Sequence, residues 1–216
     1  MAGLTAVAMA PDMALARSNG FYDNALIIDA LCFGKEWQDD VFVALREANY
    51  SGIIESLPRD SLQSAIDALV EWRGRIADHS DKLMLALEAA DFERALKSKR
   101  TAVVMNFQDT TMFEGDVDNV DALHALGMRS AQLTYNFRNL VGDGCLERTN
   151  AGLSDFGVEL VDRMNNVGVM IDLSHCGRQT TLDGIEFSKK SVAMTHTMCD
   201  SVRPGHPRAK TDEQIR

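Results

Sequence analysis

The chain has 216 residues, 45% hydrophobic and 25% charged, which is enough for one large domain with a buried core but short of the about 250 residues typical of a closed eight-stranded barrel. Its 32 acidic residues outnumber 22 basic ones, and the basic residues are scattered, which excludes nucleic acid as a partner held through its phosphates. No apolar run reaches the roughly 18 residues of a membrane span. Cys32, Cys145, Cys176 and Cys199 form no C-x-x-C pair and read as buried free thiols.

Residues 1–24 read as a leader. AGLTAVAMA is a short apolar run, and Ala14-Leu15-Ala16 fits a small-residue cleavage site, so the segment resembles the back half of an export signal without its basic n-region. A periplasmic address and a cytoplasmic one with an Ala-rich leader both stay open. The domain proper is expected over residues 25–216.

Ala25 to Leu31 is nearly all apolar and predicts a strand buried on both faces. Val41, Ala44, Leu45 and Ala48 recur at helical spacing behind Asp39 and Asp40, and Gly52 to Ser56 is the second strand. Ser61 is placed to cap a long helix whose stripe is Leu62, Ile66, Leu69, Trp72 and Ile76. Leu83 to Leu87 is a short apolar run before an amphipathic helix with Phe92, Ala95 and Leu96. Thr101 to Phe107 is strand-like and ends at Gln108. Asp116 to Leu126 predicts a helix stopped by Gly127, and Met128 to Thr134 the next strand. The irregular run from Tyr135 to Leu153 exceeds ordinary loop length, which marks it as functional or disordered. Ser154 then caps a helix ending at Gly168.

The stretch from Gly168 to Thr197 repeats one design: an apolar run ending in His175, a short helix from Thr180 to Lys190, and a second run ending in His196. A parallel pair joined by a helical crossover puts both strand ends on one rim. Strands lie about 4.8 Å apart, so the two imidazoles can share one ion, although two such histidines can equally be ordinary loop residues. The alternation of strand and helix, with strands near residues 26, 52, 102, 128, 168 and 191, predicts an α/β fold: a TIM-type (β/α)8 barrel whose last βα units lie beyond this chain. Thr211 starts what reads as one more capped helix.

Five words in order carry a resemblance: QLTYN-x-x-N-x-x-G-x-G-x-x-E from Gln132, GLSDFG from Gly152, MNNVGVMIDLSHCG from Met164, SKKSVAMTHT from Ser188 and HPRAKTDEQIR from His206. The chain resembles the membrane (renal) dipeptidase family, zinc-dependent dipeptidases on an amidohydrolase-like barrel. That resemblance implies a metal-dependent hydrolase cutting dipeptides or a related small amide with metal-activated water. It implies metal ligands at His175 and His196, Gln108 where the family carries its bridging Glu, and Tyr135 where many members carry a substrate-contacting His. It also implies substrate binding by Arg208, which matches the arginine for the terminal carboxylate, and by Asn136. Leu31 and Phe33 stand where the family has a His and an Asp, Ala209 where it has an Asn, and its later-strand Asp would lie beyond Arg216. One zinc per chain is therefore the expectation, with a catalytically impaired barrel binding a small molecule or partner as the alternative. Homo-oligomerisation is a family-level implication.

Overall fold

A computed structural model describes residues 21–34 and 37–216. The leader expected over residues 1–24 lies outside the described residues except for a short helix, α1 (Phe21–Asn24). Behind it the chain alternates β1 (Ile28–Cys32), α2 (Asp39–Glu47), β2 (Gly52–Leu57), α3 (Leu62–Asp78), β3 (Leu83–Leu85), α4 (Ala90–Ser98) and β4 (Thr101–Phe107). It continues with α5 (Asn119–Leu126), β5 (Met128–Gln132), α6 (Asp155–Val167), β6 (Met170–Asp172), α7 (Arg178–Phe187), β7 (Met198–Cys199), β8 (Ala209–Lys210) and α8 (Asp212–Ile215).

Local chemistry sets the helix ends. Ser61 accepts a hydrogen bond from Ser64 N while Ser64 Oγ answers the Ser61 N–H, so two of the donors that α3 leaves free are satisfied. Ser154 Oγ caps α6 through Gly157 N, and Thr211 with Gln214 repeats the reciprocal box on α8. Gly127 ends α5 at a φ of 117°, a left-handed conformation open to glycine.

β1, β2, β4, β5 and β6 pair in that order, all parallel, in one sheet. β2 takes one edge of β4 along its whole length, so β3 and β5 share the other, β3 against Thr101 to Val103 and β5 against Met105 to Phe107. The strands expected near 26, 52, 102, 128 and 168 are present. The one near 191 is reduced to a parallel bridge from Ala193 to Asp172, and the Leu83 run supplies β3.

Ile53, Leu57, Val103, Met105 and Phe107 pack with Leu69, Trp72, Leu123, Leu160 and Val161 from α3, α5 and α6 in the main core. The opposite face, with Ile54, Ala102 and Val104, packs against Ala86 and Ala95. Sheet plus outer helices make half of a TIM-type (β/α) barrel, the architecture the alternation predicts.

Three further expectations needed correction. β1 is not buried on both faces: Ile28 is 40% exposed, because among the described residues β2 is the one strand of the sheet beside it. α2 buries Phe42 and leaves Ala44 and Ala48 exposed, so its stripe is turned relative to the small residues. Of the four thiols expected to be buried, Cys32 and Cys176 are, Cys145 is half-buried, and Cys199 is exposed on the two-stranded β7–β8 ribbon outside the main sheet.

Candidate functional site

Alternate residues of a strand share a face, and register partners lie side by side. On the face shared with Ile54 and Val104, the C-terminal ends of the strands turn polar: Ser56, Asn106 and Ser130 pair in one row, and Gln132 pairs with Asp172. Asn106 Oδ1, Ser130 Oγ and Gln132 Oε1 are buried without hydrogen-bond partners. A polar floor thus lies at the strand C-termini, the end where barrels of this kind hold their sites.

The centre of the site is a carboxylate that no sequence motif marks, Asp172. Asp172 is fully buried at the end of β6, and its Oδ1 accepts from Ser174 N at 2.9 Å, Ser174 Oγ at 2.6 Å and Thr195 N at 3.3 Å. Its Oδ2 accepts from Thr195 Oγ1 at 2.7 Å. Ser174 Oγ in turn receives His196 N at 3.1 Å. The carboxylate therefore stitches the His175 turn to the His196 turn. Its signal was an Asp inside the apolar run MIDL, where a charge needs partners to be buried.

These bonds fix the protons of both imidazoles. Thr195 Oγ1 has one hydrogen and gives it to Asp172, so at 2.7 Å from His196 Nδ1 it accepts, and Nδ1 carries the proton. Asn136 Oδ1, an acceptor, lies 2.8 Å from His175 Nδ1 and places that proton likewise. Both Nε2 atoms are left with lone pairs. The rings lie 5.0 Å apart between centroids, and His196 Nε2 is buried without a hydrogen-bond partner. Burial, helped by the positive charges of Arg208, Arg59 and Lys210 and by the neighbouring His196, pushes His175 down to about 3. Burial also lowers His196, against the pull of Asp172.

The other expected residues gather unevenly. Tyr135 stacks on His175 at 4.1 Å, and its N–H is held by Asp109 Oδ2 at 3.2 Å. Arg208 donates from Nη2 to the His196 carbonyl at 2.7 Å and from Nε to the Ser174 carbonyl at 3.3 Å, bracing both histidine turns. Gln108 is buried on the polar floor, its Nε2 on Ser56 Oγ at 2.8 Å and its carbonyl receiving Gln132 Nε2 at 2.8 Å. None of those bonds joins it to the histidines. Arg59, at the end of β2 and unmarked in the sequence reading, sits with its guanidinium carbon 4.4 Å over the Tyr135 ring. At the first strand, Leu31 is half-buried and Phe33 is 64% exposed. Nearby, Glu55 accepts from Gly34 N with both oxygens at 2.8 Å, and burial pushes it up to about 8.

The donor chemistry fits a zinc ion as far as it goes: two neutral imidazoles with bare Nε2 atoms, each oriented by a partner on Nδ1. Among the described residues no group of three or more His, Cys, Asp and Glu side chains converges as a metal cluster. No helix among them is long and apolar enough to cross a membrane.

Residues 36–216 match the family model described as membrane dipeptidase, peptidase family M19. The chain is similar to a solved amidohydrolase from Pseudomonas aeruginosa, with 33% identity and a TM-score of 0.85 over 90% of this chain and 59% of that one. It is 29% identical to an uncharacterized protein in the pqqA 5′ region of Klebsiella pneumoniae, over 74% of this chain and 61% of that protein. It is also 29% identical to the dipeptidase verJ of Clonostachys rogersoniana, over 72% of this chain and 40% of that protein. The chain thus spans less than two thirds of the length of each of these relatives. With a family model that matches residues 36–216, well over half of the chain, the chain belongs to the membrane dipeptidase family.

Proposed function

We propose that this chain carries the site of a metal-dependent hydrolase that cuts dipeptides or a related small amide, with one zinc held by His175 and His196. The observation that carries the reading is the pair of oriented Nε2 lone pairs, one of them buried without a partner. A zinc ion bound there would supply a Lewis acid and a water acidic enough to attack a carbonyl near neutral pH. The residues around it have separable tasks. Asn136 and the Asp172–Thr195 pair keep the protons on Nδ1. Arg208 holds the two histidine turns in register and offers what remains of its fork to a substrate carboxylate, with Asn136, on His175 Nδ1, as a second substrate contact. Tyr135 supplies a phenol donor beside His175. Gln108 closes the floor with a neutral amide, whose oxygen is a weaker charge partner than a carboxylate.

A barrel that binds a small molecule without catalysis is the second reading, favoured by a donor set that stops at two among the described residues. Turnover separates them. Purified protein loaded with zinc, then stripped with a chelator, is assayed against a panel of dipeptides. Zinc-dependent release of free amino acids supports the hydrolase. Binding of panel members without turnover in the zinc-loaded state would favour the binding protein.

A further inference from the structure

Arg208 shares the surroundings of the histidines with a second, less committed guanidinium. Arg208 spends Nε and Nη2 on the carbonyls of Ser174 and His196, so removing it from them would loosen the histidine turns. Arg59 is different. Among the described residues it makes no ion pair and no hydrogen bond, and its guanidinium carbon lies 4.4 Å over the face of Tyr135. Tyr135 stacks on His175, and His175 faces His196, so Arg59, Tyr135, His175 and His196 form one continuous column of rings capped by a cation. Arg59 is half-buried and lines a cavity of about 280 Å³ with Tyr135, Asn136, Asn139, Asp109 and Asp60.

The carboxylates around that cavity do not neutralise it. Asp109 is taken up by Thr110 N, Thr111 N, Thr111 Oγ1, Asn139 Nδ2 and Tyr135 N, and Asp60 is exposed at the rim. Glu55, lining a neighbouring cavity with Arg59, is committed to Gly34. An arginine held over an aromatic face keeps its N–H edge in plane and open, the geometry for pairing with a carboxylate.

We propose that Arg59 is a specificity-determining residue that receives a carboxylate of the substrate in the Tyr135 cavity. This rests on the hydrolase reading for the word substrate, but the contact is testable by binding alone. The carboxylate is either the peptide's terminal one or that of an acidic side chain, and two matched pairs of probes distinguish them: Ala-Ala against Ala-alaninamide, and Glu-Ala against Gln-Ala. Affinities are measured by calorimetry on the parent, Arg59→Gln and Arg59→Lys, with cooperative urea unfolding as the control for folding. The parent prefers the carboxylate member of one pair. Arg59→Gln reduces that preference at least about tenfold, while Arg59→Lys, which keeps the charge but loses the planar fork and its stack on Tyr135, retains only part of it. The pair that responds names the source. No carboxylate preference in the parent, or a preference unchanged in Arg59→Gln, overturns the inference. Turnover is read separately: a shifted preference without hydrolysis leaves Arg59 in place and removes the dipeptidase reading.

Discussion

Asp172→Asn should invert the proton order of the site without changing its shape. Oδ1 accepts two backbone N–H groups, from Ser174 and Thr195, so an asparagine must keep its oxygen there and put its NH₂ where Oδ2 met Thr195 Oγ1. Thr195 would then accept from the amide and turn its hydrogen toward His196 Nδ1. The imidazole proton moves to Nε2, and the lone pair meant for a metal is gone. Reversing one buried hydrogen bond to a charged group costs about 1.5–3 kcal/mol of stability. Loss of an orienting partner of this kind weakens metal affinity about 10- to 100-fold. The assay is a zinc competition titration against a chromophoric chelator, with urea unfolding of the same samples. Zinc affinity within about twofold of the parent, in a variant that unfolds cooperatively, would refute the relay through Thr195.

Three further outcomes follow from other parts of the molecule. Glu55 is pushed from 4.5 up to about 8 by burial, so its proton stays on in the folded chain and leaves in the unfolded one; stability is full below pH 4.5 and is lost as pH rises toward 8. Its shift corresponds to at most about 5 kcal/mol, and Glu55→Gln should remove most of this pH dependence, read as the difference in urea midpoints between pH 5 and pH 8.5. A Cβ at Gly144 would stand 2.2 Å from the Tyr135 carbonyl, so Gly144→Ala should cost roughly 1–3 kcal/mol and weaken zinc binding by displacing Tyr135 and Asn136. Asn136→Ala leaves His175 Nδ1 without its acceptor and should reduce zinc affinity about tenfold or more in the same titration.

Much of the frame was legible because it is written in short-range chemistry. Ser61, Ser154, Thr211 and Gly127 act where their types predict, since a cap is decided within four residues. The meeting of His175 and His196 was legible too, because a parallel crossover returns strand ends to one rim. What was not legible is long-range. ALIIDAL carries no alternation to show that its strand has a single partner among the described residues, and its half-exposure depends on neighbours that the run itself does not contain. Asp172 looks like one polar residue in an apolar strand until Thr195 is brought beside it. Nothing in the words around Pro58 links Arg59 to Tyr135, and Arg208 matched a substrate arginine by position while the fold gives two of its nitrogens to carbonyls.

Zinc per chain is the most direct test. The protein is purified, equilibrated with zinc, desalted and measured by elemental analysis beside His175→Ala and His196→Ala variants that unfold cooperatively. About one zinc is expected in the parent, and its loss in each variant. A folded parent that retains no zinc, or variants that retain as much as the parent, would contradict it.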